Sequence, residues 1–255
     1  MESLKNRIVF ITGASSGIGA ACARAFAAAG CRLILCARRM DRLKKASGRL
    51  TVPLYLAELD VRDQPAVVDM LRSLPEEWQA IDILVNNAGL ARGLAGLPDG
   101  DLQDWEEMID TNIKGLLYVS KEVVAGMIAR KSGHVINIGS IAGHEVYPGG
   151  NVYCATKHAV DAITKGLRMD LLGAPIRIST VDPGLVETEF SMVRFHGDRE
   201  RAAKVYEGMQ PLTGDDIADA VVYCASRPPH VQIAELIILP TAQRSSTMVA
   251  RARED

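Results

Sequence analysis

Residues 7–19 read RIVFITGASSGIG, and the fold turns on them. Arg7 to Ile11 is a short β-branched and aromatic run that stops at a turn, the pattern of a buried strand. Thr12 to Gly19 follows at once, and Gly17 to Gly30 then reads as an Ala-rich helix with Gly30 as its stop. Gly13, Gly17 and Gly19 permit a tight turn and close backbone approach, with Ser15, Ser16 and Ile18 between them. A helix opening directly from such a turn presents free N–H groups and a positive dipole, which suits a pyrophosphate. The spacing is G-x-x-x-G-x-G, not the commoner G-x-G-x-x-G.

Working outward, strand and helix alternate without a hairpin signal. Further strands are expected at 32–37, 52–58, 81–85, 134–138, 176–181 and 233–239. Helices fall between them, among them one capped by Asp63, one or two over 101–130, one over 151–172 and one over 215–225. That order calls for an α/β fold: a single doubly wound Rossmann-type domain, a parallel sheet of seven strands with helices on both faces. The domain spans 1–240, with cofactor motifs in 1–140. A long irregular stretch at about 185–212 reads as a functional loop. The polar tail, 241–255, is expected to fray unless a neighbouring subunit holds it.

The chain has 255 residues and a formal net charge of −2, which offers no electrostatic case for nucleic acid or an anionic membrane. No apolar run approaches the roughly 20 residues of a membrane span, and Met1 to Asn6 lacks a secretory signal. Cys22, Cys31, Cys36, Cys154 and Cys224 show no paired spacing and read as reduced, mostly buried thiols of a cytoplasmic protein. No metal-ligand pattern is expected.

In a doubly wound sheet, ligands sit beyond the carboxyl ends of the strands. The second strand ends at Ala37, where an NAD-preferring fold places an acid; here Arg38 and Arg39 follow instead, suited to a 2′-phosphate. NADP is therefore the expected cofactor. Asp60, with Val61 after it, ends the third strand, and Asp60 could accept from an adenine amino group. Further along, Tyr153 and Lys157 stand four residues apart and share a helical face. A phenol near pKa ~10 needs roughly 4 kcal/mol of differential stabilisation to reach about 7. A buried lysine with a cationic nicotinamide ring could supply it, making Tyr153 a proton donor and acceptor near neutral pH.

TGASSGIG, NNAG at Asn86 to Gly89, Asn112, Ser140, Tyr153-x-x-x-Lys157 and Pro183-Gly184 occur in the order and approximate spacing of the short-chain dehydrogenase/reductases, which this chain resembles over nearly its whole length. The resemblance implies a catalytic set of Ser140, Tyr153, Lys157 and Asn112, with Ser140 stabilising the substrate oxygen and Asn112 fixing a water beside Lys157. It implies cofactor contacts from Asn87, Ala88 and Gly89 and from Pro183, Gly184, Val186 and Thr188, and a homotetramer. HVINIGSIAGHEVYPGGNVYCATKHAV, DPGLVETEFSMVRFHGD and LPTAQ look like the NADP-dependent 3-hydroxy acid dehydrogenases, a branch including serine and allo-threonine dehydrogenases. After Val186 the chain has only Glu187 before Thr188, a shorter and charged turn close to the expected nicotinamide carboxamide. The expected activity is hydride transfer between NADP and the 3-hydroxyl carbon of a small hydroxy acid. A broad carbonyl reductase is the alternative, and a non-catalytic NADP-binding sensor a more distant one. Arg194 is the candidate clamp for the substrate carboxylate; Arg92 and His144 are weaker candidates.

Overall fold

In the computed structural model, which describes residues 2–252, the short apolar runs form seven parallel strands between helical layers, the five central strands buried and the two edge strands partly exposed. They are β1 (Ile8–Thr12), β2 (Arg32–Ala37), β3 (Leu54–Glu58), β4 (Ile83–Asn86), β5 (Gly133–Ile138), β6 (Ile176–Pro183) and β7 (Glu235–Ile238). Their order is β3-β2-β1-β4-β5-β6-β7, as expected for a doubly wound sheet. β1 is flanked by β2 and β4, so Ile11 pairs with both Leu35 and Val85. The chain reverses direction across the sheet between β1 and β4, and a crevice opens at their carboxyl ends.

Side chains alternate between the two faces of each strand. Val9, Ile11, Leu33 and Leu35 pack with Phe26 of α1 (Gly17–Ala28) and Ile217 and Val221 of α9 (Gly214–Ala225). Ile8, Phe10, Ile34 and Leu84 pack on the other side with Val123 and Met127 of α5 (Leu116–Arg130). Both faces being dry, the strands read as continuous apolar runs. The remaining helices are α2 (Met40–Ser47), α3 (Gln64–Arg72), α4 (Leu102–Ile109), α6 (Asn151–Asp170), α7 (Phe190–Arg194) and α8 (Arg199–Lys204). Asp63 caps α3, its carboxylate accepting from the Ala66 N–H at 3.1 Å. A polar chain crosses the sheet centre: Asn86 Nδ2 donates to Ser120 Oγ at 2.8 Å and Asn137 Oδ1 at 2.9 Å, and Asn137 Nδ2 donates to Thr164 Oγ1 at 2.8 Å.

The structure refines three expectations. The helix over 101–130 is interrupted by a π-helical turn, Asp110–Gly115, between α4 and α5. The stretch 185–212 carries α7 and α8 and is braced internally, with Tyr206 Oη donating to the Val186 carbonyl at 2.8 Å. The tail does not fray over its described residues, because donors and acceptors far away in the chain take up its polar groups. Gln243 is buried and its Oε1 accepts from the Leu185 N–H at 2.9 Å. The Ser246 N–H reaches Glu145 at 2.6 Å, and the Arg251 guanidinium donates to the carbonyls of Val205 and Glu207. Among the described residues no helix is long and apolar enough to cross a membrane, and all five cysteines are free and buried.

Candidate active site

The carboxyl ends of β1, β4, β5 and β6 open into one cavity of about 600 Å³. Of the residues expected as catalytic, cofactor-binding or clamp groups, Gly19 and Asn112 do not line it, nor do the weaker candidates Arg92 and His144. Gly13 holds φ at +65°, a conformation glycine adopts without strain. A Cβ on Gly19 would run into Asn87 Nδ2 and the Gly13 carbonyl, so the third glycine serves the packing of the turn against β4. Ser16 precedes α1 without a side-chain cap, which leaves the first-turn N–H groups facing the cavity end.

Thr12 is a functional residue that carried no assigned role in the sequence; its only signal was its place at the head of TGASSGIG. Its Oγ1 accepts from the N–H groups of Asn87 and Ala88, both at 3.0 Å. Asn87 Nδ2 returns bonds to the carbonyls of Thr12 at 2.9 Å and Gly13 at 3.1 Å. The glycine turn and the NNAG segment are thereby locked together as one floor.

Arg38 and Arg39, exposed, follow the end of β2 and line the cavity. Asp60 lines the cavity, but its carboxylate is gripped by Arg62, with Nη2 at 2.6 Å and Nε at 3.0 Å. Burial raises its pKa, the Arg62 bonds lower it more, and the net result is a lowered, ionised carboxylate.

Tyr153 and Lys157 share one face of α6, as the spacing requires. The Tyr153 ring is buried, edge-on to Phe190 of α7 at 5.7 Å between centroids. Ser140 follows β5; its Oγ accepts from the Ala142 N–H at 3.1 Å and donates to the Pro183 carbonyl at 3.5 Å. Lys157 Nζ donates to the Ile138 carbonyl at 2.9 Å and lies 6.0 Å from the phenol ring centre. The expected lowering of the phenol by Lys157 is not a property of the protein alone. Burial pushes Tyr153 well above the ordinary tyrosine value, with Tyr147 adding to the effect; the nearby Ser140 hydroxyl and the Arg194 charge oppose it without reversing it. Burial also brings Lys157 down to about 8, against the pull of Asp182.

Asn112 sits in the π-helical turn with its side chain directed back at β4's continuation. Its Oδ1 accepts from the Leu90 N–H at 2.8 Å, and its Nδ2 donates to the Leu90 carbonyl at 2.8 Å and Thr156 Oγ1 at 3.0 Å. These bonds pin the segment after Gly89 to α6, immediately beneath Tyr153 and Lys157.

Arg194 closes the α7 end. Its Nε donates to the Gly93 carbonyl at 3.0 Å, and the guanidinium stands over the rings of Tyr147 at 5.3 Å and Tyr153 at 5.8 Å. Its Nη2 is buried with no hydrogen-bond partner. Arg92 and His144 do not line the cavity. Arg92 is spent on Glu107 at 2.7 Å and the Val193 carbonyl at 2.8 Å. His144 Nε2 lies 3.1 Å from Asp182, bracing the Ser140 loop against the end of β6. Neither is free to hold a substrate carboxylate. Glu187 is exposed and also lies off the cavity wall, so the shorter turn carries its charge to solvent. Thr188 packs beneath Gly17 instead.

A family model described as short chain dehydrogenase matches residues 7–199. A probable NADP-dependent dehydrogenase of Haemophilus influenzae is 47% identical over 246 residues, 96% of this chain and 98% of that protein. An NADP-dependent 3-hydroxy acid dehydrogenase, YdfG, of Shigella flexneri is 47% identical over 237 residues, 92% of this chain and 96% of that protein. The solved closed form of serine dehydrogenase complexed with NADP+ superposes with a TM-score of 0.92 at 45% identity, covering 96% of this chain and all of that one. Likeness of that extent, on a sheet ordered in this way, makes the chain a member of the short-chain dehydrogenase family.

Proposed function

We propose that the protein transfers a hydride between NADP and the 3-hydroxyl carbon of a small hydroxy acid, serine-like or 3-hydroxypropionate-like. Its general class is that of an NADP-dependent dehydrogenase acting on a CH–OH group, the activity carried by relatives 47% identical over nearly the whole chain. The non-catalytic alternative is set aside with it.

The observation that carries the substrate reading is Arg194. A buried guanidinium N–H without a partner is costly, typically about 1–3 kcal/mol, and a carboxylate in the cavity would satisfy it. An acid whose hydroxyl reaches Ser140 and Tyr153 while its carboxylate reaches Arg194 is a short one. The cavity also fits NADP: an uncapped helix N-terminus behind a positive-φ glycine for the pyrophosphate, and Arg38 and Arg39 after an uncharged Ala37 for the 2′-phosphate. When bound, NADP supplies a ring carbon that takes up or returns the hydride.

The chain's own residues handle the proton and the charge. Tyr153 takes the hydroxyl proton in oxidation and returns it in reduction. With its pKa raised, Tyr153 stands protonated at neutral pH, ready to deliver a proton to a carbonyl oxygen. Ser140 donates to the substrate oxygen and stabilises the charge that develops there. Lys157, near its titration point, supplies an adjustable positive charge beside the phenol. Asn112 acts by position, holding α6 and the Leu90 backbone in register.

The test is the initial rate of NADP reduction with small 3-hydroxy acids and with secondary alcohols lacking a carboxylate. Turnover of the acids, weak with NAD and abolished in Tyr153→Phe, is expected. Turnover of the alcohols but not the acids would retain the catalytic group and discard the acid assignment in favour of a general carbonyl reductase.

A homotetramer in the cytoplasm completes the proposal. Apolar Met169 and Leu172, exposed at the end of α6, favour association, and five unpaired thiols favour a reducing compartment. Sedimentation at micromolar concentration tests the assembly; a monomer would refute it.

A further inference from the structure

Glu189 to Arg194, with α7, cover the cavity as a lid that is fastened at both ends, and the two fastenings differ in kind. Its C-terminal end is docked through backbone groups: the Gly93 N–H donates to the Arg194 carbonyl at 2.8 Å, and Arg92 donates to the Val193 carbonyl at 2.8 Å. Its N-terminal end is held by charge. Glu189, the residue before α7, places Oε2 2.9 Å from Arg42 Nη1 and 3.9 Å from Arg39 Nη2.

We infer that the Glu189–Arg42 pair is a latch that fastens the substrate lid to the adenosine end of the site, and that Arg42 is a positioning residue for the lid rather than a third ligand of the 2′-phosphate. Three observations carry this. Arg38, Arg39 and Glu189 line the cavity, whereas Arg42, one turn further along α2, does not. Asp60 and Glu189 are the acids on the cavity wall among the described residues, and Asp60 is already saturated by Arg62. The carboxylate facing the phosphate-binding arginines therefore comes from the lid. Arg39, at the longer distance, is the shared member: a phosphate can draw it away while Arg42 keeps Glu189. One carboxylate stands against the three guanidinium charges of Arg38, Arg39 and Arg42, which leaves positive charge for a phosphate with the latch still closed.

The consequence reaches the chemistry through α7, which carries both Phe190 against Tyr153 and the Arg194 clamp. Opening the latch frees the N-terminal end of that helix while Arg92 and Gly93 keep the other end down. The link to substrate binding rests on the hydroxy-acid reading; the link to lid closure does not.

The experiment measures hydrogen–deuterium exchange of residues 189–206 in the NADP complex of the wild type, Arg42→Gln, Glu189→Gln and the double variant. NADP dissociation constants and the KM for the hydroxy acid are measured alongside. Both single variants should exchange about two- to five-fold faster, the range set by a half-exposed ion pair, with the effect fading at high salt. The double variant should exchange no faster than either single one, because the two side chains act as one unit. The KM should rise by a similar factor with kcat unchanged, and NADP should bind Arg42→Gln within two-fold of wild type. Wild-type exchange in both single variants, additive effects in the double variant, or a tenfold loss of NADP affinity in Arg42→Gln would each overturn the latch. Exchange needs no substrate, so failure of the acid assignment shows only in the KM.

Discussion

Replacing Arg194 with Gln removes a charge that the protein itself barely uses. The side chain gives one bond, Nε to the Gly93 carbonyl at 3.0 Å, and stacks on Tyr147 and Tyr153; Nη2 meets no acceptor. Loss of the Gly93 bond, whose donor is charged, costs about 1.5–3 kcal/mol, and relief of a buried unpartnered donor offsets it by about 1–3 kcal/mol. Folding stability should thus stay within about 1 kcal/mol, a Tm change of roughly 2–4 °C for a chain of this size. Substrate binding has no such compensation. A charge-assisted bond to a carboxylate contributes about 1.5–3 kcal/mol, so the KM for the hydroxy acid should rise about 10- to 150-fold. Steady-state assays on an acid and its neutral methyl ester, with a thermal melt of the same preparation, measure all three quantities. The ester should show little discrimination between wild type and Arg194→Gln. An unchanged KM for the acid, or equal losses for acid and ester, would refute the clamp. A fall in Tm of more than about 6 °C would instead make Arg194 a structural residue.

Three further outcomes are expected. His134 is buried with Nε2 on Ser179 at 2.8 Å, and burial depresses its pKa from 6.5 to about 3. The unfolded chain binds that proton first, so stability falls as pH drops from about 6.5 towards 3, by about 4–5 kcal/mol at most; denaturant melts of His134→Asn should lose part of this slope. Thr12→Val strips the acceptor shared by the Asn87 and Ala88 N–H groups, which should cost about 1–3 kcal/mol in urea melts and weaken NADP binding. Oxidation of the hydroxy acid requires the Tyr153 phenol to lose its proton, so its rate at saturating NADP should climb from pH 7 to 10, while reduction should not; a flat oxidation profile would count against Tyr153 as the base.

The strands and the glycine turn were legible because parallel strands buried on both faces are continuous apolar runs, and each ends at a short motif. Tyr153 and Lys157 were legible because helical periodicity alone puts them on one face. The balance of their electrostatics was not: spacing says nothing about how deeply a phenol is buried, and burial decides its proton affinity here. The π-helical turn was hidden for a related reason. Asp110 to Gly115 reads DTNIKG, rich in weak helix formers, but composition does not tell a π-helical turn from a break, and only contacts with Leu90 and Val61 show how the turn is accommodated. The tail misled because polar composition predicts solvent only when no distant partners await it; the Leu185 N–H, the Glu145 carboxylate and the Val205 carbonyl are such partners. Sequence ranked Arg194 above Arg92 and His144 by its place on the long loop, but could not show that Arg92 and His144 are already paired with Glu107 and Asp182 while Arg194 Nη2 has no partner.

The tail's course has a practical side. The Ala252 N–H bonds the Gly208 carbonyl at 2.7 Å, while Ser246, Thr247, Val249 and Arg251 form part of the cavity rim. Anything fused beyond this point leaves the protein beside the mouth through which substrate passes. Glu2, in contrast, is paired with Ser226 near the far end of α9, behind the sheet. An affinity handle, a surface tether or a fluorescent label therefore belongs at the amino end, away from the cavity rim.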